Sequence, residues 1–270
     1  MDNLSKITEK LTPSKLIPTI FVGHGNPMNA ITENDITKNW DSLSTLIDKD
    51  IQAVIVISAH WMTNGVKITS AAKQPIIYDF YGFPDELYNV KYDAIGDPQI
   101  GSIIIDQIKD YEAKLDNSWG LDHGTWSVLK HVIPNPKIPI LQISLDRNQS
   151  IEDMFDMFKD LKDLRNKGVM FIGSGNIVHS LRYMNFDNEV YDWAEEFDYL
   201  VKERIDDRNF STLINPYKMS KASILAVPTD EHYRPMMAVL SLLYPNEEIR
   251  YFNDFFDMGS VGMRSFVSYM

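Results

Sequence analysis

Short, continuous apolar runs recur along the chain and predict the strands of a buried sheet. The run from Ala53 to Ser58 is rich in β-branched residues and is followed closely by His60 and Trp61. Such runs are typical of parallel strands that are covered on both faces. Similar runs predict further strands at residues 17–22, 138–145, 169–173 and 224–227.

Segments with apolar residues at helical spacing alternate with these runs and predict the helices of the fold. Ser150 is followed three residues later by Asp153, which is the spacing of a capping box at a helix start. The predicted helices cover residues 37–48, 98–115, 125–132, 150–168, 191–206 and 235–243. The alternation predicts an α/β fold in which a layered, mainly parallel central sheet is flanked by helices. We expect a single domain over residues 1–270.

Two segments do not follow either pattern. Residues 1–16 are polar and mixed in charge, which predicts a loose arm or a surface helix. Residues 64–94 are rich in aromatics and broken by proline and glycine. A structureless loop of that length in a compact domain is either a functional lid or a sign that secondary structure has been missed.

Composition narrows the classes of function. The 270 residues carry a net charge of −12, which disfavours binding to the phosphate backbone of nucleic acids. There is no cysteine, so any metal must be held by histidine, carboxylate or water, a donor set that suits iron, zinc, manganese or cobalt. The chain shows no apolar run of signal-peptide or membrane-span length, so we expect no membrane partner and a cytoplasmic location.

Five of the six histidines follow a predicted strand or lie in a glycine-containing loop, and this placement is the main chemical signal. They are His24, His60, His123, His179 and His232. Each alone is as compatible with a turn or a buried structural contact as with a site. Because ligands bind at the carboxyl ends of strands in open α/β sheets, their shared placement favours one convergent site. Three could bind a metal while another moves protons near neutral pH. His131 lies on a helical pattern, and for it we expect a structural role.

Aromatic residues flank these histidines and form a candidate wall for a flat substrate. Core packing is the alternative for any one of them. The set comprises Trp61, Tyr78, Phe80, Tyr81, Phe83, Trp119 and Trp126. Our candidates for direct substrate contact are Trp61, Tyr78, Asp79 and Tyr233.

Eight segments in collinear order resemble the class III extradiol ring-cleavage dioxygenases, in the single-chain branch similar to 4,5-DOPA dioxygenase. They span nearly the whole chain, so their combination is more specific than any one motif. The segments are GHGNPMNA (23–30), VISAHW (56–61), YDFYGFPDELY (78–88), WGLDHGTWSVL (119–129), PILQISLD (139–146), GSGNIVHSLR (173–182), PTDEHYRPM (228–236) and MGS (258–260).

The resemblance implies a non-haem metal centre in which a small aromatic diol and O2 react, and the ring opens beside the two hydroxyls. It implies His24, His60 and His232 as metal ligands, although Glu231 could take the place of His232. His179 is implied as acid/base or as a further metal ligand, and both roles remain open.

The resemblance also implies that His123 contacts substrate or oxygen, so His179 and His123 are the candidate catalytic residues. Fe2+ is implied for activity, and Zn2+ could be the metal that the isolated protein carries. Asn26 departs from the serine that relatives commonly carry after Gly-His-Gly, which puts fine specificity in question more than the reaction.

Two other functions fit the same histidines. A zinc hydrolase would also use three histidines, a water and a base, but the chain has no HExxH helix or dense carboxylate cluster. A non-catalytic metal-binding protein would hold the metal without turnover. Neither the physiological catechol nor the oligomeric state is specified by the sequence.

Overall fold

The computed structural model describes residues 10–187 and 189–270. The strands of this part of the chain are β1 (Thr19–Gly23), β2 (Ala53–Thr63), β3 (Val66–Thr69), β4 (Lys73–Gln74), β5 (Ala94–Ile95), β6 (Ala113–Asp116), β7 (Ile140–Asp146), β8 (Val169–Gly175), β9 (Glu248–Phe252), β10 (Phe256–Asp257), β11 (Val261–Gly262) and β12 (Ser265–Tyr269).

The α-helices of the same residues are α1 (Asp35–Ser42), α2 (Asp85–Tyr88), α3 (Pro98–Gln107), α4 (His123–Val132), α5 (Ile151–Lys159), α6 (Asp192–Asp206), α7 (Phe210–Leu213), α8 (Ser223–Ala226) and α9 (Arg234–Ser241). Short 3-10 helices cover Pro27–Ala30, Leu43–Leu46, Lys162–Lys167, Leu181–Tyr183 and Pro216–Lys218. None of the described helices combines the length and the apolar composition needed to cross a membrane.

Eight strands form the central sheet in the order β6-β3-β7-β2-β8-β1-β12-β9. The four middle strands β7, β2, β8 and β1 run parallel to one another. Strands β12 and β9 extend the sheet in antiparallel orientation at one edge, and β3 meets β7 antiparallel on the other side. The predicted fold class, a mainly parallel sheet in a single α/β domain, is therefore confirmed.

Both faces of the sheet are buried, which explains why the middle strands are apolar without interruption. Along β2, Ile55 and Ile57 face one core with helices α3, α5, α6 and α9, whereas Val54 and Val56 face the other with α1 and α4. Successive side chains of a strand point to opposite faces, so one continuous run supplies both cores. Each such side chain contributes about 1.5–3 kcal/mol by its burial.

Local signals located several helices correctly. The capping box at Ser150 and Asp153 is present at the start of α5, and α6 covers nearly the whole range predicted for it. The helix predicted over 150–168 is instead divided, because α5 ends at Lys159 and a 3-10 helix leads to Gly168 in the left-handed conformation.

Two sequence predictions are wrong in this structure. Residues 224–227 are not a strand: most of this short apolar run belongs to α8, and it lies outside the sheet. The helix predicted over 98–115 ends at Gln107, and the chain then forms the edge strand β6. Over residues 64–94 the second alternative applies, because the segment contains β3, β4 and α2 and secondary structure had been missed there. Short apolar runs do not distinguish strand from helix, which explains the error at residues 224–227.

The predicted N-terminal arm is only partly described, because residues 1–9 lie outside the described residues. The remainder is held to the domain instead of being loose. Leu11 is buried, the backbone N–H of Thr12 donates to Gln52 Oε1 at 3.0 Å, and that of Ser14 donates to the carbonyl oxygen of Asn166 at 2.9 Å.

Candidate metal centre

The carboxyl ends of three neighbouring parallel strands bring the histidines together. His24 follows β1, the loop after the middle strand β8 carries His179, and His60 lies near the end of β2 on the other side of β8. His123 is the first residue of α4, and His232 lies in the turn before α9. This is the edge at which α/β sheets bind ligands.

His60 lies within strand β2, next to an irregularity in its pairing. The sequence suggests that the strand ends before this residue. Strand β2 continues past His60 to Thr63, and its register with β7 shifts between Ile57 and Met62. The prediction that the strand ends before His60 is therefore corrected, because β2 continues through this irregularity to Thr63.

Three imidazoles converge on one point. His24 Nε2 and His60 Nε2 are 3.1 Å apart, and one ring nitrogen each of His24, His60 and His232 lie within 4.8 Å of one another. Two imidazole nitrogens that bind one ion at about 2.0–2.1 Å, at roughly a right angle, lie about 3 Å apart. The spacing of His24 and His60 therefore suits two ligands of the same metal ion.

Hydrogen bonds assign the proton positions of two of these rings. Ser174 Oγ donates to the carbonyl oxygen of Gly124 at 2.5 Å, so its oxygen is left to accept from His24 Nδ1 at 3.0 Å. Glu231 Oε1 lies 3.1 Å from His232 Nδ1 and, as a carboxylate, accepts its proton. Both rings consequently present an unprotonated Nε2, and that of His232 is buried without a hydrogen-bond partner.

Burial keeps these rings neutral at pH 7. It lowers the pKa of His24 and His232 far below the usual value, and the charges of the neighbouring histidines add to the effect. Burial also lowers the pKa of His60 to about 3, although the carboxylate of Asp79 partly opposes the shift. Neutral imidazole is the form that binds metals. Converging neutral donors and an unpartnered buried nitrogen fit a divalent transition-metal ion.

His179 lies beside this group and not within it. Its ring stacks on that of His232 at a centroid distance of 3.5 Å and an angle of 10°. One ring nitrogen of His179 lies within 4.8 Å of donor atoms of His232 and Glu231. His24 and His60 instead form a group with His232. Burial lowers the pKa of His179 to about 4, so the ring is neutral at pH 7.

Asp79 connects His123 to His60. Its Oδ1 accepts the backbone N–H of His123 at 2.8 Å and lies 3.0 Å from His123 Nδ1, and its Oδ2 lies 3.5 Å from His60 Nδ1. Burial alone would raise the pKa of Asp79, but the hydrogen bonds and charge of His123 outweigh it and lower the pKa. The carboxylate therefore lies close to two histidine rings, whose centroids are 4.0 Å apart.

A buried polar network supports the start of α4, and the sequence alone did not indicate it. Asp122 caps the helix by accepting the backbone N–H of Thr125, and it also accepts from the Ser58 hydroxyl at 2.7 Å and from the side-chain amide of Gln142. Burial raises the pKa of Asp122 to about 6, with the charge of Asp79 adding to the rise. Gly124 then packs directly against the His60 ring.

Several predicted site residues lie elsewhere. Tyr233 is fully buried in the core, where its hydroxyl donates to the Leu213 carbonyl oxygen. Tyr78 donates to the Val90 carbonyl oxygen, and Trp61 is buried and stacks on Trp119. These three side chains do not line the cavity beside the histidines, so the structure corrects their assignment as substrate contacts.

His131 is separate from the other histidines, as expected for a structural residue. Its Nδ1 lies 2.9 Å from Asp41 Oδ1 and its Nε2 lies 2.9 Å from the carbonyl oxygen of Asn29. Both ring nitrogens are therefore engaged on the far part of α4.

A cavity of about 430 Å³ opens beside the five clustered histidines. From the predicted aromatic set only Phe83 lines it. Further lining residues that were not among the predicted candidates are Leu181, Met184, Phe186, Met258 and Val261. Met184 and Phe186 belong to the segment 183–190, and the apolar residues of that segment could have indicated a cavity lining. The other three residues reach the cavity only through the tertiary fold.

Comparisons with known proteins identify the family of the chain. Residues 17–261 match the family described as "Catalytic LigB subunit of aromatic ring-opening dioxygenase". The chain is 35% identical to 4,5-DOPA dioxygenase extradiol of Escherichia coli (strain K12), over 96% of this chain and 97% of the relative, and 29% identical to the Beta vulgaris protein of the same name, over 92% and 95%.

The crystal structure of an uncharacterized protein from Escherichia coli K12 superposes with a TM-score of 0.80 at 32% identity, covering 93% of this chain and 99% of that one. A family match over most of the chain, together with a relative above 30% identity along nearly its full length, identifies the chain. The protein belongs to the family of the catalytic LigB subunit of aromatic ring-opening dioxygenases.

Proposed function

We propose that the protein opens the ring of a DOPA-like or related catechol with O2 at an Fe2+ ion held by His24, His60 and His232. The observation that carries the proposal is the convergence of three neutral imidazoles, two of them with Nε2 atoms 3.1 Å apart. The family and the names of the relatives support an extradiol ring-opening dioxygenase.

We favour His232 over Glu231 as the third ligand. The His232 nitrogen groups with those of His24 and His60, while Glu231 accepts a hydrogen bond from His232 Nδ1. Carboxylates commonly orient a metal-bound histidine in this way. When bound, Fe2+ supplies the one-electron chemistry through which O2 reacts with an organic substrate.

His179 is proposed as the proton acceptor for a catechol hydroxyl. It lines the cavity, and because its pKa is lowered to about 4, a ring nitrogen is free to take a proton at pH 7. Its stacking on the His232 ring supports a role beside the proposed ligands. His179 would thus act as a general base and later return the proton.

His123 is proposed to contact substrate or oxygen. Asp79 lies 3.0 Å from His123 Nδ1 and favours the proton at that nitrogen. The opposite nitrogen, Nε2, is then the atom that can exchange a proton or hydrogen bond with the reactants.

A cytoplasmic location, expected from the sequence, stays a prediction.

The decisive experiment is oxygen uptake by protein that is loaded with Fe2+ under anaerobic conditions and then mixed with aerated catechols. We expect one O2 consumed per ring opened and a semialdehyde product. Protein loaded with Zn2+ is the control and should consume no oxygen. Absence of uptake with every catechol tested, or ester or amide hydrolysis by the zinc form, would contradict the proposal.

A further inference from the structure

One turn of the chain carries a proposed metal ligand and also a polar side chain that has no part in the proposed reaction. Gly25, with a φ of +58°, separates His24 from Asn26, and both of these residues line the cavity beside the clustered histidines. A Cβ at Gly25 would stand 2.7 Å from Met263 Sδ, so the turn lies close against the domain. The turn that carries His24 therefore also sets the position of Asn26.

The side-chain amide of Asn26 is held in one orientation. Its Oδ1 accepts the backbone N–H of Met28 at 2.9 Å, at the start of the 3-10 helix Pro27–Ala30. Within an amide only the oxygen can accept that hydrogen, so this contact assigns the position of Nδ2 as well. Asn26 is therefore a donor whose orientation is set before a substrate binds.

The backbone around Asn26 is held by further contacts. The backbone N–H of Asn29 donates to the Asn26 carbonyl oxygen at 3.0 Å, and the Asn29 side-chain amide donates to the carbonyl oxygen of His24 at 3.2 Å. Lys130 of helix α4 donates to the carbonyl oxygen of Ala30 at 2.8 Å. A group that is fixed in this way loses little conformational freedom when it binds a ligand.

The donor of Asn26 is available to a ligand. Within the described part of the chain, no residue accepts a hydrogen bond from Asn26 Nδ2. Of the described residues that line the cavity, Asn26 alone, besides the histidines, has a polar side chain. The lining also includes Phe83, Leu181 and Phe186, which offer no hydrogen bond to a substrate.

The cavity has room for a substituent on the ring. An engineered protein cavity of roughly 150 Å³ holds a benzene ring. At about 430 Å³ the space beside the histidines exceeds what the ring alone needs. In the proposed function the histidines bind the metal or act on the ring hydroxyls and oxygen. A polar group on the substituent is therefore left with Asn26 as its donor.

We infer that Asn26 determines specificity by donating a hydrogen bond from Nδ2 to the carboxylate of a DOPA-like catechol. The inference rests on the proposed function and assigns the residue that recognises the polar end of its substrate. A carboxylate that leaves water must recover hydrogen bonds, and the oriented amide of Asn26 supplies one. Hydrogen bonds to an ionised group are stronger than those between neutral groups.

Two catechols that differ by the carboxylate isolate this contact. We suggest 3-(3,4-dihydroxyphenyl)propanoate and 4-ethylcatechol, with L-DOPA alongside. In Fe2+-loaded Asn26→Ala, the ratio of kcat/KM for the acid over 4-ethylcatechol should fall at least about tenfold from the wild-type ratio, as expected for losing a hydrogen bond to a charged group. L-DOPA should lose activity in parallel with the acid.

Two further variants separate donation from helix capping. Asn26→Asp keeps an oxygen for the Met28 N–H, because aspartate caps helices as well as asparagine does, but it has no donor. Its ratio should fall at least as far as that of Asn26→Ala. Asn209→Ala is the matched control: Asn209 also accepts a backbone N–H, that of Thr212, at the start of the short helix α7, but it does not line the cavity. Its ratio should equal that of the wild type.

Anaerobic calorimetry on the Zn2+-loaded protein measures the same contact without turnover. The affinity for the acid, relative to that for 4-ethylcatechol, should fall at least about tenfold in Asn26→Ala and stay unchanged in Asn209→Ala.

The outcomes separate the role of Asn26 from the reaction. The inference is overturned if the ratio in Asn26→Ala falls less than about tenfold, or if acid and 4-ethylcatechol lose activity equally, which would place Asn26 against the ring or the metal. A fall in Asn26→Asp alone would also overturn it, because repulsion by the new carboxylate would be the cause. If no catechol consumed oxygen, the proposed function would fail. The calorimetric ratio would then decide alone, and an unchanged ratio or absence of binding would refute the role of Asn26.

Discussion

Gly124→Ala should weaken metal binding although Gly124 is not a ligand. Gly124 lies in the first turn of α4, and a Cβ at this position would stand 2.8 Å from His60 Cδ2 and 2.8 Å from Ser58 Oγ. Carbon atoms pack at roughly 3.5–4.0 Å, so the His60 ring would have to move by at least about 0.7 Å. That displacement would carry its Nε2 away from His24.

The size of the effect follows from this displacement. Supporting residues that orient metal ligands are worth about 10–100-fold in affinity, and we expect a loss in that range. Stability should change less. Overpacking costs about 1–3 kcal/mol, while alanine is favoured over glycine in a helix by about 1 kcal/mol. The metal-free variant should therefore lose no more than about 2 kcal/mol of its free energy of unfolding.

Competition with a chromophoric chelator measures the metal affinity, and urea unfolding of the metal-free protein measures the stability. Gly101→Ala is the control. Gly101 lies in helix α3, and its Cβ would stand 2.7 Å from Cδ2 of Leu115 in strand β6, away from the histidines. We expect it to alter stability alone. The reasoning is refuted if Gly124→Ala binds metal as tightly as wild type, or if Gly101→Ala weakens binding equally.

Three further predictions concern single groups. His60→Ala should no longer bind metal stoichiometrically, whereas His179→Gln should keep the metal and lose about 10²–10⁴-fold in kcat. Metal analysis and oxygen uptake distinguish the two variants. Metal loss in His179→Gln would assign His179 as a ligand. Glu247→Gln should cost about 3–5 kcal/mol in urea unfolding, because Arg165 and Glu247 form a fully buried pair, while the exposed Glu248→Gln should change little. The metal-free protein should lose stability as pH falls from 6.5 toward 4, since the unfolded chain protonates His60 and His179 there and the folded chain does not. The free energy of unfolding should fall by up to about 1.4 kcal/mol per pH unit for each of these histidines. In His179→Gln the slope should be smaller by about that amount, since one fewer proton is taken up on unfolding.

Much of the fold could be predicted from the sequence because its signals are local. Continuous apolar runs mark strands that are buried on both faces, and the middle strands β1, β2, β7 and β8 are all of this kind. The same signal fails for residues 224–227, where the apolar run is too short to distinguish a strand from helix α8. The predicted fold class does not change when one such segment is assigned wrongly, because it depends on the alternation of strands and helices along the whole chain.

The set of clustered histidines was also predictable, since in the sequence each follows a predicted strand or lies in a glycine-containing loop. Their individual geometry was not. The register shift in β2 surrounds His60, the Ser174 hydroxyl assigns the tautomer of His24, and Glu231 assigns that of His232. The first two depend on how separate strands pair and pack, and the third depends on the side-chain conformations of two adjacent residues in the turn before α9.

The cavity wall shows the same division. Aromatic residues near the histidines in sequence suggested a wall, yet Trp61 and Tyr233 are buried in packing contacts, while Leu181 and Phe186 face the site. Sequence determines which residues are apolar and which segments form strands and helices, because propensity and periodicity act over a few neighbouring residues. Only the tertiary structure decides which side chains share a cavity and where their protons lie, because that depends on packing between residues distant in the chain.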